Sequence, residues 1–323
     1  MSTQVAAPML SPAAPGYAPL VQATQRVESG IGAGGGVGRV RRLHLFSGGI
    51  VSWASAKRDV QKHGTEGVAL LFADTMMEDE DLYRFIVEAA ANVGVPLTRI
   101  ADGRTPWEVM RDHHSFATNR MDFCSEELKR DLLDKWFADN CSAETVSCVG
   151  LDWTEMHRLD RMRQIMPERQ WEAPMTEKPY MTKAQMMDWL KAEGIEPPRL
   201  YKLGFPHNNC GGFCIKAGQA HFALLLRTMP ERYAYHEAKE RELRETVGDY
   251  GILRDRTGGT TKTLTLEAFR KRIESQADLF DAHDWGGCGC ALPSLAGRAA
   301  GAGVGLETSA AEKGHNDSNS ATE

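Results

Sequence analysis

The sequence predicts an α/β fold, a doubly wound and mostly parallel sheet with helices on both faces, and three observations carry that expectation. An apolar strand at 43–46 runs through Ser47-Gly48-Gly49 into a helix that is under way by Ser52. A second apolar run, Gly67-Val-Ala-Leu-Leu-Phe-Ala-Asp-Thr75, ends in a carboxylate and a hydroxyl. Short strands then alternate with stretches of helical spacing, the pattern of a sheet wound by crossover helices.

The first element is the one around which the chain is organised. Glycines at 48 and 49 let the backbone turn tightly with no Cβ in the way. The helix that follows presents unpaired N–H groups and the positive end of its dipole, which together favour an anion. Ser47 and Ser52 add hydroxyl donors at the same place. The plainer reading is an ordinary strand-to-helix turn. Asp74 and Thr75 strengthen the phosphate-loop reading, because ligands of open parallel sheets sit at the C-terminal ends of the strands.

The remaining elements follow in order. Residues 1–39, rich in Ala, Pro, Gly and Ser, cannot bury enough surface to order themselves and are expected to form a disordered tail. Leu82, Phe85, Ile86, Ala89 and Ala90 place a helix over 79–92, stopped by Gly94-Val-Pro96, before a third strand at 97–100. A turn at 102–106 leads to a helix beginning at Trp107. Cys124 stands at the start of the next helix, where the dipole favours a thiolate; a buried structural cysteine is the alternative. A fourth strand at 145–150 ends in Gly150, with Glu155 and Arg158 just beyond it. Arg158 is suited to bidentate capture of a phosphate or sulfate with Glu155 holding it, and a surface ion pair is the competing reading. Cys141 and Cys148 have no motif around them and are read as core.

An irregular connection is expected over 171–180 and a capped helix over 182–190. Cys210 and Cys214 then flank a glycine pair that allows close backbone approach, so two thiolates can face one metal or cluster. His207 is a possible zinc ligand or a local hydrogen-bonding group. A helix at 217–227 precedes a charged helix at 235–246, expected to be a solvated face, then a strand at 252–255, a turn at 257–263 and a helix at 264–273. Cys288 and Cys290 sit in a glycine setting at the end of a single domain spanning 40–293, and 294–323 reads as a second disordered tail.

Four of these segments carry a resemblance. Ser47-Gly48-Gly49-x-x-Ser52 with Phe72-Ala73-Asp74-Thr75 resembles the PP-loop, adenine nucleotide alpha-hydrolase-like superfamily, in its PAPS reductase-like branch. Cys124, Ser125, Leu128 and Lys129 resemble that branch's Cys-(Ser/Thr)-x-x-Leu-Lys segment, and Gly150, Glu155 and Arg158 its Gly-x-x-x-x-Glu-x-x-Arg element. Leu200-Tyr-Lys-Leu-Gly-Phe205 ahead of Cys210 and Cys214 is similar to the stretch that precedes its cysteine pair, although here the pair is separated by three residues rather than two.

The resemblance implies an enzyme that binds an adenine nucleotide (ATP, APS or PAPS) through Ser47, Gly48, Gly49, Ser52, Asp74, Thr75, Gly150 and Glu155. It implies sulfur or activated-phosphate chemistry with Cys124, Lys129 and Arg158 in catalytic roles. It further implies a 4Fe–4S cluster on Cys124, Cys210, Cys214 and one of Cys288 and Cys290, with zinc as runner-up. A thiol or electron-donor protein would be the partner. Many PP-loop pyrophosphatases carry Asp where this chain has Val51, so Mg²⁺-assisted ATP cleavage is less firmly implied than nucleotide binding. The late Glu-Cys-Gly-x-His nucleophile of sulfonucleotide reductases is also missing from the sequence. Two alternatives therefore stand: a PP-loop adenylating or sulfur-inserting enzyme that modifies a nucleic-acid base, and a nucleotide sensor with structural zinc.

Composition limits the classes. Of 323 residues 42% are hydrophobic, enough for a sizeable core, and a net charge of −6 gives no general attraction to nucleic acid. No apolar run approaches the roughly 18 residues that would span a membrane. Seven cysteines with no export-signal pattern argue for reduced thiols, metal ligands or catalysis in the cytoplasm.

Overall fold

β1 (Arg42–Leu45) is the middle strand of a five-stranded parallel sheet. This computed structural model describes residues 40–118, 121–256, 259–275 and 280–286; both expected tails lie outside them, as do Cys288 and Cys290. From β1 the chain turns into α1 (Ile50–His63) and returns as β2 (Val68–Asp74), whose register sets Leu43 beside Ala69 and Leu45 beside Leu71. α2 (Glu80–Val93) starts at Asp79, whose carboxylate accepts the Asp81 N–H at 3.0 Å, and ends at Gly94 in the left-handed conformation. β3 (Leu97–Ala101) completes this side of the sheet.

α3 (Pro106–Asp112) begins with a Thr105–Glu108 capping box. It is followed by α4 (Phe123–Ser125), a π-helical turn at Glu126–Arg130 and α5 (Asp131–Asn140). β4 (Val146–Val149) then pairs with the free side of β1, setting Cys148 beside His44. α6 (Met156–Ile165) leads to β5 (Gln170–Glu172) at the sheet edge, which gives the strand order β3-β2-β1-β4-β5. Successive crossovers run outward from β1 in one direction and then, from β4, in the other. The crevice of such a sheet lies where the direction reverses, between the C-terminal ends of β1 and β4.

The rest of the chain is helical: α7 (Lys183–Ala192), α8 (Arg199–Lys202), α9 (Gln219–Thr228) and α10 (Pro230–Val247). A hairpin of β6 (Leu253–Asp255) and β7 (Lys262–Leu264) and then α11 (Leu266–Ser275) follow. One apolar cluster, with Phe46, Trp53, Leu70, Phe85 and Met186, packs α1, α2 and α7 on the sheet. Another, with Val149, Leu159 and Trp171, lies beneath α6. Around Trp107, Phe213, Phe222, Tyr233 and Phe269 a third gathers α3, α9, α10 and α11.

Three expectations are corrected. Residues 170–172 form a strand where an irregular connection was expected, because a three-residue edge strand leaves too short a periodic signal. β7 occupies Lys262–Leu264, partly within the expected turn. α10 is solvated on one side only: Arg241, Glu242 and Glu245 are exposed, while Tyr233, His236 and Glu240 are buried. The polar groups on its inner side are used within the fold. The Glu240 carboxylate accepts the backbone N–H groups of Ile252 (2.9 Å) and Leu266 (2.6 Å), and His236 Nδ1 accepts the Trp107 indole N–H at 3.0 Å.

Candidate functional site

The turn between β1 and α1 opens at the sheet's direction reversal. Gly48 takes φ +74°, a left-handed conformation that an L side chain enters only at a cost, and a Cβ there would also press on Leu82 at 3.0 Å. Gly49, by contrast, has extended backbone, and a Cβ on it would meet only ordinary contacts, the nearest being the Tyr201 hydroxyl at 3.4 Å. The Ser52 hydroxyl donates to the Gly49 carbonyl at 2.8 Å, tightening the turn from within, while Ser47 is exposed.

Two residues outside the loop hold it. The Tyr201 hydroxyl accepts the Ile50 N–H at 3.2 Å, and the Asn208 amide donates to the Gly48 carbonyl at 3.0 Å. Asn208 is 1% exposed, and its Oδ1 has no hydrogen-bond partner among the described residues. Neither residue was singled out for the loop from the sequence. Tyr201 lies within the recognised Leu-Tyr-x-x-Gly stretch, whereas nothing local marks Asn208.

Gly150 closes the other wall of the crevice, with an ideal Cβ falling 2.7 Å from Ser52 Cα. Beyond it, Asp152 caps a 3-10 turn at Trp153–Glu155, accepting the Thr154 N–H at 2.9 Å. Arg158 pairs with Glu155 three residues back, the ion-pair arrangement that competed with anion capture in the sequence reading. Trp153 and Tyr180, 41% and 45% exposed, stack on one another with centroids 5.6 Å apart.

Asp74 and Thr75 part company at the end of β2. The buried Asp74 carboxylate accepts from the Met76 N–H (2.8 Å), the Tyr83 hydroxyl (3.0 Å) and Arg99 Nε (2.7 Å), so its oxygens are committed to the protein. Thr75 instead faces the cysteines and donates to Glu78 at 3.0 Å. Burial pushes the Glu78 carboxyl up from its ordinary range, opposed by the Lys129 ammonium at 3.6 Å. Glu78 also accepts the backbone N–H of Cys210. It carries no sequence signal beyond standing four residues past Asp74.

Cys124, Cys210 and Cys214 line one pocket. Thr75, Ser125, Lys129 and Lys216 supply its polar wall, and Met77, Pro106, Phe213 and Ile215 its apolar one. Lys129 reaches it from the π-helical turn after α4, a distortion often associated with functional sites. Asp122 fixes both cationic flanks, accepting from Lys216 at 2.6 Å and from both Arg130 terminal nitrogens at 3.0 Å. Cys210, Gly211 and Gly212 all have positive φ (50°, 60° and 81°), which curls the chain around the pocket. Arg232 secures this turn from below, donating to the Gly211 carbonyl at 2.8 Å and pairing with Asp79. Because Asn208 touches the β1–α1 turn and Cys210 touches the β2 exit, the cysteine turn abuts the crevice. His207 stacks on His221 with centroids 5.2 Å apart.

Among the described residues, one group brings three metal-ligating donor atoms within 4.8 Å of one another: His44, Asp59 and Cys148. Cys141 is half-buried at the end of α5.

No protein-family model and no curated protein matches the chain. Solved structures do. The phosphate complex of phosphoadenylyl-sulfate (PAPS) reductase from Candida auris is similar with a TM-score of 0.37 and 14% identity, over 50% of this chain and 78% of that one. NH3-dependent NAD synthetase from Campylobacter jejuni, in complex with nitrate, is similar with a TM-score of 0.34 and 13% identity, over 66% of this chain and 86% of that one. No helix among the described residues is long and apolar enough to cross a membrane.

Proposed function

We propose that the protein is a PP-loop enzyme of the PAPS reductase-like kind, holding an adenine nucleotide in the crevice between β1 and β4 and acting on sulfur or on an activated phosphate bond. One observation carries this reading: the Ser47-Gly48-Gly49-x-x-Ser52 turn stands at the direction reversal of a parallel sheet, ahead of a helix N-terminus. Ser47, Gly48, Gly49 and Ser52 would cradle phosphate, with Gly150 keeping the opposite wall low. Asp74 supports the site through Arg99 and Tyr83 rather than by touching the ligand.

Cys124, Cys210 and Cys214 are the groups suited to sulfur chemistry, beside Lys129 and Lys216, whose charges favour thiolate or a bound oxyanion. Their donor set fits an iron–sulfur cluster in chemistry and in number up to three; the fourth thiolate would come from Cys288 or Cys290, outside the described residues. Such a cluster would supply electron transfer or electrostatic polarisation, and zinc on the same thiolates would be structural. The exposed Trp153–Tyr180 stack favours a second reading, modification of a nucleic-acid base, since aromatic faces at a site's rim take up bases.

The test is consumption of ATP, APS and PAPS by anaerobically purified protein supplied with a dithiol as two-electron donor, with iron, acid-labile sulfide and zinc measured on the same sample. Turnover of APS or PAPS with release of sulfite supports the lead reading. No turnover of any of the three sinks it.

A further inference from the structure

The face of the sheet beneath α1 carries a polar cluster that the nucleotide reading does not use. His44 on β1, Cys148 on β4 and Asp59 on α1 are 2%, 1% and 2% exposed. His44 Nε2 lies 2.8 Å from Asp59 Oδ2. Arg42 donates to Asp59 at 2.7 and 2.6 Å, reaches Cys148 Sγ at 3.5 Å and pairs with Glu172 on β5. Against burial, which would raise it, the hydrogen bonds from His44 and Arg42 hold the Asp59 carboxyl down at about 2. His63, at the end of α1, brings Nε2 to 3.8 Å from Asp59 Oδ1 and is 38% exposed.

We propose that His44, Asp59 and Cys148 form a second metal centre that takes one Zn²⁺, independent of the cysteine pocket and of nucleotide binding. The mixed imidazole, carboxylate and thiolate set suits a borderline ion such as zinc, and the 4.8 Å envelope of the donor atoms is narrow enough for one ion to bridge them after small side-chain shifts. Binding takes the ion to the Cys148 thiolate, with the thiol proton released to solvent, and to His44 as the tautomer that carries its proton on Nδ1 and leaves Nε2 free for the metal. Arg42 keeps its bonds to Asp59 Oδ1 and Glu172, the outer support that metal-ligating carboxylates need, while Oδ2 turns to the ion. His63 or a water completes the coordination, and the half-exposed side chains of His63 and Glu172 mark the entry side. Such an ion would pin β1, β4 and α1 together below the phosphate loop.

The probe is cobalt(II), whose bond to a thiolate gives a charge-transfer absorption. The protein used is the full chain with Cys124, Cys210, Cys214, Cys288 and Cys290 all replaced by serine, leaving Cys141 and Cys148. One equivalent of cobalt should raise the band, zinc should displace it, and adding Cys148→Ser should abolish it while the circular-dichroism spectrum is unchanged. His44→Gln should weaken zinc binding by at least tenfold. If the five-cysteine variant does not fold, zinc bound per chain is compared by calorimetric titration between wild type and Cys148→Ser, the wild type taking one more equivalent. A folded background with no band, a band that survives Cys148→Ser, or equal zinc stoichiometry in wild type and Cys148→Ser overturns the proposal. None of these outcomes bears on ATP, APS or PAPS consumption.

Discussion

Gly150 and Ser52 meet backbone to backbone: a Cβ on the glycine would sit 2.7 Å from the serine's Cα, 2.8 Å from its nitrogen and 2.9 Å from its Cβ. The end of β4 therefore sets the height of the first turn of α1, the turn proposed to offer its N–H groups to a phosphate. The contact is main-chain and cannot be relieved by a rotamer change. Gly150→Ala should cost about 1–3 kcal/mol, the range for overpacking, and displace the loop. Chemical denaturation beside calorimetric titration with ATP and PAPS checks this; full stability and unchanged affinity would show that the two elements can separate freely.

The glycines of the loop itself should not be equivalent. Gly48 is left-handed and faces Leu82, whereas Gly49 is extended with open surroundings. Gly48→Ala is expected to lose about 1–2 kcal/mol from backbone strain alone, and Gly49→Ala much less. A bulkier Gly49→Val leaves the fold intact and should act on phosphate approach, so its effect appears in nucleotide affinity and not in the unfolding midpoint. If Gly49→Ala destabilises as strongly as Gly48→Ala in urea titrations, the two glycines do not differ in backbone conformation as left-handed and extended.

Glu240 should make stability pH-dependent. Burial raises its carboxyl from 4.5 to about 7 despite hydrogen bonds from Ile252 and Leu266, with Arg244 lowering it and Glu237 raising it. A raised folded value means that the folded state binds the proton more tightly than the unfolded state. This group's contribution is thus fully present below about 4.5 and is lost as the pH rises through about 7, a swing on the order of 3 kcal/mol. Glu240→Gln removes that pH dependence but leaves one backbone N–H facing an amide donor. Stability curves of the two proteins between pH 5 and pH 8 should therefore converge as pH rises, and parallel curves would refute the assignment.

The same helix shows where sequence reading reaches its limit. The alternating Glu, Lys and Arg of α10 read as a solvated face because periodicity weighs polarity and cannot see a partner strand. Here two backbone donors 12 and 26 residues further on give Glu240 a reason to be inside. The parallel sheet was legible because buried strands are apolar runs and each is followed by a helix or glycine turn with its own chemistry. Asp74 was correctly placed at a strand end, yet its committed oxygens depend on Arg99, contributed by β3. Asn208 and Glu78 carry no local pattern at all; they matter because tertiary contacts bring 208 to Gly48 and 78 to Cys210.

Glu78 is expected to position the cysteine turn. Cys210 holds φ +50° without being glycine, a conformation that costs about 1–2 kcal/mol and persists only if neighbours impose it. The neighbour with the means is Glu78, whose buried carboxylate accepts the Cys210 N–H while also accepting from Thr75 and facing Lys129. Glu78→Gln keeps a carbonyl oxygen for that N–H; Glu78→Leu keeps the bulk and removes the acceptor, leaving a buried donor unsatisfied at a cost of about 1–3 kcal/mol. With the acceptor gone the turn should relax towards negative φ and swing the Cys210 thiol away from Cys124 and Cys214. Alkylation of each cysteine, followed by mass spectrometry under native conditions, reads this directly. Cys210 should change its rate several-fold in Glu78→Leu and little in Glu78→Gln, while Cys141, outside the pocket, stays the same in both. Equal Cys210 rates in the leucine variant and wild type, with both proteins folded, would show that the left-handed turn stands without Glu78.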